Sequence, residues 1–343
     1  MKCRKLTALA AAAMVCSLAA CGTSAASKAA GTESSIEESI TTGNGAESVE
    51  SAAADERVYR IGVLQFVQHA ALDRANEGFA AALDEAGILY ELDQQNASGE
   101  QSTCQTIAEK FVNDRVDLIY AIATPAAQAA AAATEDIPIV LSAVTDPEGS
   151  GLVESNAAPG GNVTGASDLT PVKEQIDLLR RILPDAKNVG ILFCTAEANS
   201  EIQAEMARKA LDDAGISHAD YTVSGSNEIQ TVVESMIGKV DAIYIPTDNT
   251  IAAGMATVAQ VANDNSIPTI CGEENMVSEG GLATYGIDYF RHGMLAGKQA
   301  AEILKNGKKP ASLPIAYGEA SDMKLTVNEE TAKLLGIDVS GLK

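Results

Sequence analysis

Two copies of one sequence pattern occur in this chain. Residues 61–64 (IGVL) and 82–88 (ALDEAGI) of the first copy return as residues 189–192 (VGIL) and 210–216 (ALDDAGI), and both are displaced by 128 positions. Two further echoes follow in order. DLIY at 117–120 returns as DAIY at 241–244, and IPIV at 137–140 returns as IPTI at 267–270, with displacements of 124 and 130. A nearly constant displacement over four segments predicts one βαβ-type unit used twice. Two similar lobes leave a cleft between them, and clefts are where small ligands bind.

Strand and helix patterns alternate throughout both copies. Short apolar runs such as 58–64 and 117–121 predict buried strands, and the amphipathic stretch 72–85, which ends before Gly87, predicts a helix between them. In the second copy, residues 251–263 predict one helix, and residues 313–316 predict a short strand near the C-terminus. This alternation predicts an α/β fold with two similar, doubly wound parallel-sheet lobes.

The two lobes are expected to be joined by a three-segment hinge. The crossings are predicted near residues 166–170, 285–287 and 317–321, so the first lobe would comprise 57–166 plus 286–317 and the second 167–285 plus 318–343. Three parallel crossings permit closure by rotation of one lobe on the other, as in a Venus flytrap.

The N-terminus has the features of an export signal. Lys2, Arg4 and Lys5 precede an apolar stretch that ends in Leu-Ala-Ala-Cys-Gly at 18–22. This resembles a bacterial lipobox, which implies cleavage after residue 20 and a diacylglycerol on Cys21. Residues 21–56 then comprise the lipidated cysteine and a tether rich in Ser, Ala, Gly and Glu, too poor in large apolar residues to fold. The expected localisation is extracytoplasmic, anchored to the cell membrane by lipid.

Composition argues against several other functions. The net charge of −23 is unsuited to nucleic acid or to an anionic membrane surface. Cys104, Cys194 and Cys271 have no close spacing, and the three histidines lie far apart, so no metal site, disulfide framework or cofactor is expected. There is no P-loop, Gly-x-Ser-x-Gly elbow or metal-ligand spacing, so the chain is not expected to be an enzyme.

Candidate ligand-binding residues follow from a rule of parallel α/β sheets, in which ligands bind beyond the carboxyl ends of the strands. The loops that follow predicted strands, together with the crossings between lobes, supply sixteen such residues. They are Gln65, Phe66, His69, Thr124, Pro125, Thr145, Asp146, Ser167, Asp168, Glu197, Asn199, Ser200, Thr247, Asp248, Asn249 and Tyr285.

These residues suit a zwitterionic ligand. Thr124 precedes a predicted helix, whose free N–H groups favour a carboxylate, although such a residue also serves as a simple helix cap. Asp248 holds the equivalent position in the second copy and is the first choice of partner for an α-ammonium, with Asp146 and Asp168 as alternatives. Phe66 and Tyr285 are the aromatic candidates to cover an apolar ligand group, or they belong to the core.

Several of these loops together resemble a known family. They are residues 122–128 (IATPAAQ), 143–147 (AVTDP), 159–169 (PGGNVTGASDL), 197–200 (EANS) and 241–249 (DAIYIPTDN). They resemble the substrate-binding lipoproteins of ABC transporters of the tryptophan/tyrosine type, over residues 58–320. The resemblance implies a type I periplasmic-binding-protein fold, an aromatic amino acid (Trp, Tyr or Phe) as ligand, and a membrane permease with its ATPase as partners. One departure is that Ala70 follows His69 where the family usually has proline.

Other functions remain compatible with the same cleft. The chain could sense its ligand for a membrane kinase, or the fold could bind a solute other than an amino acid. A sugar-responsive repressor shares the bilobal fold, but it would need a basic helix-turn-helix at the N-terminus, where this chain has a signal and tether.

Overall fold

The computed structural model describes residues 57–342. The predicted signal segment, Cys21 and the predicted tether lie outside these residues. Within them, no helix is both long enough and apolar enough to cross a membrane.

The first sheet is formed mainly by the N-terminal half of the described chain. Its strands are β1 (Val58–Gln65), β2 (Leu89–Asn96), β3 (Leu118–Ile122), β4 (Ile139–Val144), β5 (Val163–Ser167) and β11 (Ala316–Tyr317). Its helices are α1 (Ala70–Glu85), α2 (Gln101–Asp114), α3 (Thr124–Ala133) and α10 (Tyr289–Leu304). We call this sheet with its helices the first lobe.

The second sheet follows from the second copy of the pattern. Its strands are β6 (Asn188–Cys194), β7 (Ser217–Val223), β8 (Ala242–Ile245), β9 (Thr269–Cys271), β10 (Ala283–Gly286) and β12 (Lys324–Val327). Its helices are α4 (Val172–Ile182), α5 (Ala198–Asp213), α6 (Ile229–Met236), α7 (Asn249–Ala253), α8 (Met255–Asp264), α9 (Glu274–Ser278) and α11 (Glu329–Leu335). These elements form the second lobe.

The two sheets have the same strand order. The first reads β2-β1-β3-β4-β5-β11 and the second β7-β6-β8-β9-β10-β12. The repeated segments fall on equivalent strands, β1 and β6, β3 and β8, β4 and β9. The edge strands differ, since β11 pairs with β5 in parallel whereas β12 pairs with β10 antiparallel. The predicted two-lobed, doubly wound fold is therefore confirmed.

Helices α1 and α5 end in the same way, as their shared sequence predicts. Their C-caps are Ala86 and Ala214, and the next residues, Gly87 and Gly215, have φ of 66° and 71°. A glycine adopts this left-handed conformation without the steric cost that a side chain would add.

The chain passes between the two sheets three times, which confirms the three-segment connection. The passages lie between β5 and β6, between β10 and α10, and between β11 and β12. The sequence interpretation missed two elements beside the first passage, strand β5 and helix α4. It also predicted one helix over 251–263, where the backbone breaks at Gly254 into α7 and α8, and a strand over 313–316, where only Ala316 is in a strand.

Each lobe has its own apolar core. The first contains the inner residues of β1, β3 and β4 with Phe79 and Phe111, and the second is built on β6, β8 and α5. Cys104, Cys194 and Cys271 are free thiols buried inside the lobes. The first core is closed by α10, which follows β10 of the second lobe but packs on α1.

Candidate ligand-binding cleft

Both lobes line one small cavity at the carboxyl ends of their strands. Its volume is about 10 Å³, roughly the space that one water molecule needs. An amino acid does not fit this space, so the lobes must part to admit one. The lining residues are His69, Leu72, Ala143, Asp168, Thr247, Asp248, Asn249, Ala252, Glu273 and Tyr289.

Direct hydrogen bonds join the lobes around this cavity. Gln203 of α5 donates through Nε2 to Thr145 Oγ1 across the cleft at 3.0 Å, and also to Thr247 Oγ1 of its own lobe. Thr145 Oγ1 and Thr247 Oγ1 lie 3.4 Å apart. At the rim, Gln101 Nε2 donates to the carbonyl of Ala196 at 2.7 Å. The cleft is therefore closed in this structure.

Two residues other than glycine have positive φ in the loop after β3 and near the end of β4, and one of them, Ala143, lines the cavity. Ala123, before α3, has φ of 84°, and Ala143, near the end of β4, has φ of 54°. The β4–β5 register shifts between Leu141 and Val144, and the N–H of Ala143 donates to Nε2 of His292 at 2.9 Å. Positive φ at residues other than glycine is costly, and such residues cluster at functional sites.

Asp168 is a buried carboxylate with a free oxygen. Its Oδ2 accepts a hydrogen bond of 2.8 Å from the hydroxyl of Tyr289, whereas its buried Oδ1 has no partner. Burial raises the pKa of Asp168 to about 6, and the hydrogen bond from Tyr289 and the nearby hydroxyl of Thr145 oppose this shift. Asp168 is thus available to a cationic group in the cleft.

Asp248, by contrast, is saturated by backbone donors. It is the N-cap of α7, where Oδ1 accepts from the N–H of Ile251 at 2.8 Å, and Oδ2 accepts from the N–H of Cys194 at 2.6 Å. Burial and the charge of Glu197 raise its pKa to about 7. The hydrogen bonds favour Asp168 over the predicted first choice, Asp248, as a partner for a cation, because Oδ1 of Asp168 has no partner.

Glu273 is a third buried carboxylate in the cavity. It caps α9, where it accepts from the N–H groups of Asn275 and Met276 at 2.6 and 2.9 Å. Burial raises its pKa to about 7. No Lys or Arg is among the lining residues, so the three carboxyl groups have no cationic partner in the cavity.

A fourth buried carboxylate, that of Glu197, lies outside the cavity lining and holds second-lobe residues in place by hydrogen bonds. Glu197 accepts hydrogen bonds from Asn249 and from Thr250, including Asn249 Nδ2 at 2.6 Å and Thr250 N at 2.8 Å. Asn249 in turn contacts the first lobe, with its Oδ1 lying 3.3 Å from Nε2 of His69. His69 is the N-cap residue of α1.

The structure brings only some of the sixteen predicted residues into the cavity lining. They are His69, Asp168, Thr247, Asp248 and Asn249. Five more predicted residues lie beside these lining residues or beside the hydrogen bonds that join the lobes. They are Thr145, Ser167, Glu197, Asn199 and Ser200. Thr124 and Pro125 begin α3, and the buried Thr124 hydroxyl has no partner.

Four predicted residues have other surroundings. Phe66 is buried in the core of the first lobe. Gln65 donates through Nε2 to Asp73 at 2.8 Å. Asp146 accepts from Asn156 Nδ2 at 3.2 Å in the loop after β4, and its role as an ammonium partner has no support from the geometry. Tyr285 lies on β10 outside the cavity lining.

The sequence interpretation missed Glu273, Tyr289 and Gln203. Glu273 follows β9 and Tyr289 follows β10, so the rule that located the other loops would have found both if it had been extended to these strands. Tyr289 is the aromatic residue at the second passage that lines the cavity, four positions beyond Tyr285. Gln203 lies inside α5 and carries no comparable signal.

Comparison with known proteins agrees with this architecture. Residues 60–341 match the family described as ABC transporter substrate binding protein. The chain is 42% identical over 279 residues to a tyrosine-binding protein of Clostridioides difficile, with 80% of each chain covered.

Two solved structures show which arrangement of the lobes is present. The first is an ABC domain from Streptococcus pneumonia in complex with L-Trp, with 38% identity and a TM-score of 0.80 over 82% of this chain and 96% of that one. The second is the ligand-free, open structure of a substrate-binding protein from Clostridium difficile, with 39% identity and a TM-score of 0.62 over 82% and 95%. Since the identities are nearly equal, the lower score reflects the open arrangement. Over nearly all of its described length, this chain belongs to the family of ABC transporter substrate-binding proteins, which bind a small molecule outside the cytoplasm and work with a permease and its ATPase.

Proposed function

We propose that this protein captures an aromatic amino acid in the cleft between its lobes and presents it to a membrane permease. The observation that carries this proposal is a cavity lined by three buried carboxylates and by no Lys or Arg. Such a site favours a ligand with an ammonium group, because burying uncompensated negative charge is costly. The names of two relatives, one tyrosine-binding and one in complex with L-Trp, support an aromatic side chain.

The ammonium group is assigned to Asp168. Its free Oδ1 accepts a charge-assisted hydrogen bond, which is about twice as strong as a neutral one. Glu273 and Asp248 add to the negative potential, although their oxygens are engaged by backbone N–H groups. Because burial holds the pKa of Asp168 at about 6, the ligand's positive charge also stabilises its ionised form.

The α-carboxylate is assigned to the N-terminus of α3. Thr124 offers a buried hydroxyl without a partner there, and the helix N-terminus carries partial positive charge. Tyr289 is the aromatic residue in position to contact the ligand's ring, since it lines the cavity and its hydroxyl is tied to Asp168.

Membrane attachment is proposed to occur through lipid on Cys21. This rests on the Leu-Ala-Ala-Cys sequence at 18–21 and on the signal-like segment before it. The protein is proposed to have no catalytic activity, and its work is then binding, closure and delivery.

The proposed function is tested by titrating the purified protein, stripped of ligand by unfolding and refolding, with single amino acids in a calorimeter. We expect saturable one-to-one binding of at least one aromatic amino acid. The chain has no Trp, so the fluorescence of added tryptophan provides an independent signal. A folded sample that gives no heat with any amino acid would contradict the proposal.

A further inference from the structure

The carboxylate of Glu197 is surrounded by hydrogen-bond donors. Its Oε1 accepts from the N–H and the hydroxyl of Thr250, both at 2.8 Å. Its Oε2 accepts from Asn249 Nδ2 at 2.6 Å and, at 3.3 Å, from Asn249 N and Asn199 Nδ2. Glu197 is 1% exposed, so these bonds are shielded from water.

This surrounding determines the orientation of the Asn249 amide. The short contact to Glu197 requires the NH₂ group there, because the reverse orientation would set the amide oxygen against the carboxylate. The amide oxygen therefore faces Nε2 of His69 at 3.3 Å. Since an amide oxygen only accepts, Nε2 of His69 must carry the hydrogen.

The other ring nitrogen of His69 is consequently a free acceptor. Burial lowers the pKa of His69 to about 4, so the ring is neutral near pH 7 and Nδ1 has no hydrogen. Nδ1 is buried and has no partner, although His69 is the N-cap residue of α1, where such a side chain can accept from the helix. His69 also lines the cavity.

A neutral acceptor beside buried carboxylates selects a particular kind of donor. An ammonium binds the carboxylate of Asp168 in preference to a neutral imidazole, because the charge-assisted bond is stronger. The group left for His69 is a neutral N–H or O–H. Indole and phenol side chains carry such a donor and a phenyl side chain does not.

We propose that His69, oriented by Asn249 and Glu197, accepts a hydrogen bond from the side-chain N–H or O–H of the ligand and thereby selects tryptophan or tyrosine over phenylalanine. This inference rests on the proposed function. The two relatives with a named ligand fit it, since tyrosine and L-Trp both carry the donor. His69 contacts the ligand in this account, whereas Asn249 and Glu197 are positioning residues.

The binding test compares ligands that differ by one donor. Dissociation constants are measured for tyrosine and phenylalanine, and for tryptophan and 1-methyltryptophan, with the wild-type protein and with His69→Leu. In the pair that the wild-type protein binds, we expect the ligand with the donor, tyrosine or tryptophan, to bind more tightly by roughly tenfold or more. This is the scale of one buried hydrogen bond. In His69→Leu the preference should fall close to one, mainly through weaker binding of the donor-bearing ligand. His218→Leu is the matched control, because His218 lies on β7 beside Asp212, away from the cavity.

The positioning role is tested by the tautomer of His69. The chain has three histidines, so long-range ¹H–¹⁵N NMR spectra can be assigned with single-site variants. We expect hydrogen on Nε2 in the wild-type protein, a mixture of tautomers in Asn249→Ala, and a shift of the Nδ1 resonance with tyrosine or tryptophan but not with phenylalanine. If a variant does not fold, the wild-type spectra still test whether the hydrogen of His69 is on Nε2.

Each outcome has a definite meaning. If no aromatic amino acid binds, the proposed function and this inference both fail. If they bind but His69→Leu retains the full preference, or hydrogen is found on Nδ1, only the inference fails. In that case Asn199 Oδ1, a second buried acceptor without a partner next to Glu197, becomes the group to test.

Discussion

Asp168 and Asp248 are buried aspartates of the same cavity that differ in how many of their oxygens are free. Both oxygens of Asp248 accept from backbone N–H groups, whereas Oδ1 of Asp168 has no partner. The sequence could place both residues after the ends of strands, but it could not show which carboxylate would accept hydrogen bonds from backbone N–H groups. That depends on the approach of β6 to the start of α7, which is set by tertiary packing.

Replacing Asp168 by asparagine should weaken binding of the aromatic ligand by about 2–4 kcal/mol, the scale for the loss of one charge in a closed, desolvated pair. The asparagine can still accept the hydrogen bond of Tyr289, so the fold should be retained. Calorimetric titration measures the change, and Asp146→Asn, in the loop outside the cavity, is the matched control. Equal affinities of Asp168→Asn and wild type would remove Asp168 from the site.

Ligand affinity should also depend on pH. The ligand's ammonium favours the ionised form of Asp168, whose pKa in the free protein is raised to about 6 by burial. Below pH 6 the free carboxyl is protonated, so binding must expel this proton and affinity should fall by up to about tenfold per pH unit. Asp248 and Glu273, with pKa values of about 7, extend proton release toward neutral pH.

Calorimetry at pH 5 and pH 7.5, in buffers of different ionisation enthalpy, measures both the affinity and the protons released. We expect tighter binding at pH 7.5 and a smaller pH effect in Asp168→Asn. An affinity independent of pH would show that these carboxylates do not respond to the ligand's charge.

At the level of elements, helices α1 and α10 carry two residues of the cavity at their first turns. His69 is the N-cap residue of α1, and Tyr289 is the first residue of α10. The two helices approach closely through glycines. A Cβ added at Gly293 would lie 1.9 Å from the carbonyl oxygen of Ala75, and one added at Gly78 would lie 2.0 Å from that of Phe290. This contact therefore fixes the relative position of His69 and Tyr289.

Gly293→Ala should destabilise the protein by about 1–3 kcal/mol, because the added methyl group forces the helices apart. Alanine is more favourable than glycine in a helix by roughly 1 kcal/mol, so the steric cost of the methyl group must exceed this gain for the variant to be destabilised. Denaturant unfolding measures the change in stability, with Gly161→Ala as the control, since a Cβ there meets nothing within 4 Å. A variant as stable as wild type would refute the close packing of α1 on α10.

Most elements could be predicted because their patterns are local. The apolar runs of β1, β3, β6 and β8 and the glycines after α1 and α5 are visible in the sequence. Helix α4 was missed although its buried residues Val172, Ile176 and Leu179 recur at helical spacing. The break at Gly254 could not be read in the same way, because one glycine inside a helical pattern is often tolerated.

The hydrogen bonds between lobes lie beyond sequence reasoning for a physical reason. Gln203 and Thr145 belong to different lobes, and their 3.0 Å contact exists only when the cleft is closed. Glutamine and threonine are also common at solvent-exposed positions, so the residue types alone do not indicate that these two side chains meet.

At the scale of the whole molecule, the protein is a two-lobed binding domain of an ABC transporter, for which we propose attachment to the membrane through Cys21. We expect rotation about the three connecting segments to open the cleft, which is closed in this structure. The hydrogen bonds across the cleft, such as that from Gln203 to Thr145, belong to the closed form.

Cys21→Ser should release the protein from the membrane, because the thioether to the lipid cannot form. Fractionation of cells that produce the full-length chain measures this, and ligand affinity should not change. Cys104→Ser, a buried thiol in the first lobe, is the control that should stay in the membrane fraction. A Cys21→Ser protein that still pellets with membranes would contradict the lipid anchor.

A crystal structure of the protein with the tightest-binding aromatic amino acid tests the proposed binding site most directly. We predict that the ligand lies between the two lobes, with its ammonium nitrogen within hydrogen-bonding distance of Asp168 Oδ1 and its carboxylate at the N-terminus of α3. A ligand bound outside the cleft, or inside it with its carboxylate toward Asp168, would contradict the account.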